Sequence, residues 1–118
     1  METEGPVYTK SFDFALMIID LNASLNKLRF FDISRQILRS GTSIGANVNE
    51  AGAAISKKDF TNKMSIASKE ARETLYWLKL IKNSNSIHID VNKEYSMCLE
   101  LVRLLTSIVK TSQLNTKN

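Results

Sequence analysis

The sequence predicts an all-α fold: one up-down four-helix bundle, a single domain over residues 1–118. Three observations carry that expectation. One proline and four glycines leave few breakers, so long helices fit and a turn-rich β fold does not. Four segments place apolar residues three or four positions apart, the repeat of a helix with one buried face. Short polar segments separate them, as between antiparallel neighbours in a bundle. The length suits one domain and is too small for two ordinary ones.

Residues 1–10 read as a loose arm, followed by a first helix over 11–27. Phe14, Ile18, Leu21, Leu25 and Leu28 form its continuous apolar stripe. The second helix, over 32–54, buries Ile33, Ile37, Ile44, Val48, Ala51 and Ile55. It also carries Gly41, Gly45 and Gly52. A glycine inside a helix costs about 1 kcal/mol, so three of them imply close approach of a neighbouring backbone. The third helix spans 56–82 and opens on Ser56-Lys57-Lys58-Asp59, a capping box with Asp in place of Glu. Its stripe is Phe60, Met64, Ala67, Ala71, Leu75 and Leu78. The segment Asn83-Ser84-Asn85-Ser86 is a loop by composition. Asp90 caps a fourth helix that runs to 111, with Val91, Tyr95, Cys98, Val102, Leu105 and Val109 as its core stripe. Residues 112–118 are polar and read as a loose end.

Two helices carry a second apolar stripe. Phe12, Leu16, Ile19 and Ala23 lie nearly opposite the first stripe of their helix. Met97, Leu101, Leu104 and Ile108 are turned by roughly 100° from the core stripe of theirs. A helix in a small monomeric bundle needs one buried face, so these second stripes predict a contact between copies of the chain. The competing reading is a broad core face within one chain.

Composition excludes several classes. With 43% apolar and 24% charged residues the chain is not disordered as a whole. One cysteine cannot form an internal disulfide, and in an apolar stripe Cys98 reads as a buried, inert thiol. The polar start Met1-Glu2-Thr3-Glu4 is unlike a signal peptide. The longest apolar run, 14–19, is far short of the roughly 20 residues that span a bilayer. No membrane association is expected, and the expected location is cytoplasmic. Sixteen Lys and Arg against twelve Asp and Glu give a net charge of +4, which suits nucleic acid or an acidic partner.

Three polar constellations bear on chemistry. Arg35, Arg39, Ser43 and Glu50, with Asn47 beside them, lie along one side of the second helix. Glu70 and Glu73 lie on the third, between Ile66 and Trp77. Carboxylates in such surroundings need a cation, and Arg39 or Arg35 can supply it. This set reads as a structural polar network that fixes helix register rather than an acid/base pair, because no nucleophile stands beside the acids. A dimetal centre of the bundle type needs Glu-x-x-His pairs, and the lone histidine, His88, falls in a loop. No phosphate-binding glycine loop and no Cys-x-x-Cys pair occurs. No cofactor, metal, catalytic residue or small-molecule substrate is therefore predicted. The third constellation is a basic ridge: Lys58, Lys69, Arg72 and Lys79 share one arc of the third helix with Tyr76 and no acid. Such a ridge can follow a phosphate backbone with the tyrosine stacking on a base, and repetition around an oligomer would strengthen its field.

The segment Leu38-Arg39-Ser40-Gly41-Thr42-Ser43-Ile44-Gly45-Ala46-Asn47-Val48-Asn49-Glu50-Ala51 resembles the signature of the small "four helix bundle protein" family. Its members are labelled S23-like, ribosomal or 23S rRNA intervening-sequence proteins. The blocks Ser56-Lys57-Lys58-Asp59-Phe60, 66–74 and Trp77-Leu78 match as well, so the resemblance covers roughly 12–110. One departure is Ala53-Ala54 after Gly52, where many members are more polar. The resemblance implies a bundle that assembles as a ring, a homo-oligomer and more specifically a pentamer, with no enzyme activity. A related branch, the accessory protein of diversity-generating retroelements, works with a reverse transcriptase and RNA. The functional expectation is a non-catalytic oligomeric scaffold that binds RNA or a ribonucleoprotein partner through Lys58, Lys69, Arg72, Tyr76 and Lys79. The alternative is a protein–protein interaction module with no nucleic-acid role.

Overall fold

A computed structural model describes residues 5–117 and contains four helices and, among those residues, no strand. They are α1 (Pro6–Lys27), α2 (Phe31–Ala51), α3 (Lys57–Asn83) and α4 (Asn92–Lys117). Contacts join α1 to α2, α2 to α3, α3 to α4 and α4 back to α1, with none across the diagonals among the described residues. The helices therefore stand at the corners of a square around one core. Phe14, Ile18 and Leu25 enter it from α1, Ile37, Ile44 and Val48 from α2, Met64, Leu78 and Ile81 from α3, and Cys98, Leu101 and Leu105 from α4. Each large side chain so buried contributes about 1.5–3 kcal/mol.

Both expected loose ends need correction. α1 begins at Pro6, not at 11, because proline is pre-set for the first helical position and Val7 extends the apolar stripe one turn upstream. α4 continues past 111 through Lys117, and the Thr61 and Ser112 hydroxyls hydrogen-bond between α3 and its last turns. Residues 1–4 and 118 of those expected ends lie outside the described residues. The second helix stops at Ala51 with Gly52 as its cap, and Ala53 and Ala54 form a turn rather than more helix. No helix among the described residues is long and apolar enough to cross a membrane.

The helix ends follow their sequence signals. Ser56 Oγ accepts from Asp59 N at 3.0 Å, and Asp59 Oδ2 accepts from Ile55 N at 3.3 Å, the reciprocal pair of a capping box displaced by one residue. Asp90 Oδ1 accepts from Asn92 N at 2.9 Å where α4 begins. α1 closes on Phe30 N donating to Leu25 O and Arg29 N to Asn26 O, with Arg29 left-handed at φ 68°. That is a Schellman end with arginine where glycine is usual.

Glycine sets the α1–α2 distance. A Cβ on Gly41 would stand 2.8 Å from Ile18 Cγ1 and Cγ2, and one on Gly45 would stand 3.2 Å from the Ser11 carbonyl oxygen. Asn22 also ties the two helices, donating to Ser34 O at 3.1 Å and to Ser34 Oγ at 2.5 Å. Between α2 and α3 the wholly buried Ser40 and Thr74 hydroxyls meet at 2.8 Å.

Candidate nucleic-acid interface

The basic ridge follows from the register of α3. Met64, Ala67, Ala71, Thr74 and Leu78 face the core, which leaves Lys58, Lys69, Arg72, Tyr76 and Lys79 on the opposite arc. All five are exposed. None of their four cations is in an ion pair among the described residues. Tyr76 presents its ring edge to Trp77, with centroids 5.3 Å apart.

Arg72 differs from the rest of the ridge. It lies at the α4 edge of the arc, where its Nη2 donates to Thr106 Oγ1 at 3.1 Å. Thr106 in turn donates to Val102 O at 2.7 Å, so its hydroxyl is oriented to accept. Arg72 thereby forms one wall of a groove of about 860 Å³ between α3 and α4, shared with Arg103, Lys110 and Leu114. No Asp or Glu lines this groove. Sequence reasoning missed Arg103 and Lys110. Their signal was present: seven residues apart, they fall on one face of α4.

The polar network forms in part. Arg39 Nη1 is 3.0 Å from Glu70 Oε2, and Arg39 Nη2 also donates to Glu73 Oε2. Trp77 Nε1 donates to the same Glu73 oxygen at 3.0 Å. Glu50 pairs with Lys63 at 3.0 Å, and its hydrogen bond first and its charge second raise the Lys63 pKa above the ordinary value. These pairs tie α2 to α3. The other members do not join them. Arg35 pairs with Asp32 on its own helix at 2.6 Å, and Asn47 donates to Ser43 O at 2.9 Å one turn back. Glu70 and Glu73 are thus committed to Arg39 and Trp77. Among the described residues, no group of three or more His, Cys, Asp or Glu could hold a metal ion. Cys98 is buried, its thiol donates to Ala71 O at 3.3 Å, and burial pushes its pKa up to about 12.

The two second stripes part company. On α1, Phe12 is 64% exposed and Leu16 and Ile19 each 49%. On α4, Leu101 lies wholly in the core, and Met97, Leu104 and Ile108 pack against it half-buried. The expectation of an open α4 interface is corrected for Leu101. Much of the stripe is therefore the edge of a broad core face.

The model of the 23S rRNA-intervening sequence protein family matches residues 3–107. A crystal structure from Bacteroides thetaiotaomicron VPI-5482, of a protein with unknown function from the S23 ribosomal protein family, is 46% identical and superposes with a TM-score of 0.80. That match covers 88% of this chain and 98% of the other. No curated protein matches the chain. The chain belongs to the 23S rRNA-intervening sequence protein family.

Proposed function

We propose that the protein is a non-catalytic scaffold that assembles with copies of itself and binds RNA or a ribonucleoprotein through its basic helix faces. The observation that carries this reading is the ridge of Lys58, Lys69, Arg72 and Lys79, exposed opposite the core and free of carboxylate partners among the described residues. Exposed Tyr76 on the same arc offers a surface on which a base can stack. The family's name, which refers to 23S rRNA, agrees in direction. A non-catalytic role is favoured because the partly buried acids Glu70 and Glu73 are spent on Arg39 and Trp77. Self-association rests on the open stripe of Phe12, Leu16 and Ile19, and the family resemblance makes a pentamer the expected ring.

A salt titration tests the reading. Four phosphate contacts give log K falling against log salt with a slope of about −2.8 for a single strand. The double variant Lys69→Glu with Arg72→Glu should abolish binding, and absence of RNA binding at low salt would refute the reading. Exposed Phe12 favours a second reading, a pure protein-interaction module. In that case the same charge reversal leaves partner binding intact. Light scattering reports assembly directly: a species near five subunit masses supports the ring, and a monomer removes it.

A further inference from the structure

We propose that the groove between α3 and α4 is a seat for single-stranded RNA, with Arg72, Arg103 and Lys110 on its phosphates and the apolar side chain of Leu114 under a base. The proposal deepens the RNA-binding reading and rests on it. Three properties separate the groove from the convex ridge beside it.

First, it concentrates charge. Arg72, Arg103 and Lys110 converge on one groove with no acid in its lining. The acid nearest in sequence to Arg103 is Glu100, three positions away, and it pairs with Lys10 of α1. Cations in a concave site with one sign of charge focus the field on an anion more strongly than the same cations on a convex helix.

Second, one cation is pre-positioned. The Thr106 hydroxyl holds the Arg72 guanidinium from inside the groove and leaves its other N–H donors for a ligand. Arginine's planar fork matches a phosphate and loses little freedom when already oriented. Arg103 and Lys110 are two helical turns apart, about 10.5 Å along α4. A flexible single strand can set two of its phosphates at that separation.

Third, the groove is amphipathic. Leu114 is 64% exposed and presents apolar surface one turn beyond Lys110 at the same groove. Gln113 offers an amide, donor and acceptor, at the same wall. A phosphate alone has no use for apolar surface. A nucleotide with its base unstacked uses both, and unstacked bases are available in single strands and not in a duplex.

The test is fluorescence anisotropy on the full chain with three probes: a labelled ten-residue oligouridylate, a blunt RNA duplex and a polyglutamate peptide. Arg103→Ala with Lys110→Ala should weaken oligouridylate binding at least tenfold and flatten the log–log salt slope by about 1.4, the share of two phosphates. Leu114→Ala should weaken it about three- to tenfold with the slope unchanged. The duplex should bind more weakly than the single strand. These side chains are exposed, and matching circular dichroism and thermal midpoints will establish that each variant folds. If oligouridylate binds all variants as it binds the natural chain, while Lys69→Glu with Arg72→Glu abolishes binding, the groove proposal falls and the ridge reading stands. If no RNA binds the natural chain, both fall. A Leu114→Ala variant with unchanged affinity removes the base seat. Polyglutamate binding as tight as RNA, with the same dependence on Arg103 and Lys110, overturns the proposal in favour of an acidic peptide.

Discussion

The Ser40–Thr74 contact offers the sharpest test of how α3 is held against α2. Both side chains are wholly buried. Thr74 Oγ1 lies 2.8 Å from Ser40 Oγ and 2.8 Å from Glu70 O. One hydroxyl carries one hydrogen. When Thr74 donates to the Glu70 carbonyl, the hydrogen of the interhelical bond comes from Ser40. Thr74→Val keeps the shape, deletes the bond and strands the Ser40 hydroxyl, at a cost of about 1–2 kcal/mol. Ser40→Ala leaves Thr74 satisfied by Glu70 O and costs about 1 kcal/mol. The double variant removes both polar partners, so it should cost less than the sum of the singles by about 1 kcal/mol. Urea unfolding followed by far-ultraviolet circular dichroism reads this directly. With m near 1.5 kcal/mol/M, Thr74→Val should lower the midpoint by about 1 M at unchanged m. Measurement at two protein concentrations separates folding from assembly. Strictly additive single effects, or a Thr74→Val cost below about 0.5 kcal/mol, would refute the argument.

Two further outcomes follow from single residues. Arg29 occupies a left-handed position that costs a side-chain-bearing residue about 1–2 kcal/mol. Arg29→Gly relieves that cost against a smaller loss of backbone entropy, so the urea midpoint should rise by an amount worth about 0.5 kcal/mol. Cys98 titrates near 9 when unfolded and near 12 when folded, because burial disfavours the thiolate. Below pH 9 both states hold the proton and stability is unaffected. Above it the unfolded chain releases the proton first and stability falls through pH 12, by up to about 1.4 kcal/mol per pH unit. Cys98→Ala should remove that slope between pH 9 and 10, and an aromatic disulfide reagent should label the native thiol only on unfolding.

Helix number, order and most of the core stripes were legible because each is a local periodicity; Leu28 and Ile55, read as stripe members, fall past the ends of α1 and α2 and are exposed. The Ser56 cap and the tight glycines Gly41 and Gly45 were legible for the same reason: one residue type has one strong backbone use. The start of α1 was not, because a proline breaks a helix in its interior but starts one at the first helical position, where Pro6 stands. Leu101 failed for a different reason. A stripe angle states which way a residue points, but only packing states whether a neighbouring helix is there to cover it. The Arg39–Glu70–Glu73 cluster was legible from the residue types on two stripes. Ser43 and Asn47 share that stripe, yet their short side chains satisfy each other within α2. The groove was least legible. Arg72 and Arg103 are 31 positions apart, and nothing local pairs them. Their proximity exists only once α3 and α4 lie side by side.

The square arrangement gives the two proposed surfaces a fixed relation. α1 contacts α2 and α4 but not α3, its diagonal partner. The exposed stripe of Phe12, Leu16 and Ile19 on α1 and the ridge on α3 therefore lie on helices at opposite corners of the bundle. A ring contact that sets the α1 stripe of one copy against a face of the next other than α3 leaves the ridge of every copy uncovered. Charge does not oppose such a contact, because the stripe itself is apolar and the unpaired cations of the ridge stay at a distance from it. Screening decides the rest: at physiological salt exposed charges more than about 8 Å apart are largely uncoupled, so ridges on neighbouring copies repel little. A polyanion long enough to touch several ridges would bind each after the first intramolecularly, gaining affinity with no new contact. Affinity for RNA should then rise steeply with strand length in the assembled protein. It should rise only weakly in a Phe12→Glu variant that is held monomeric with its ridge intact.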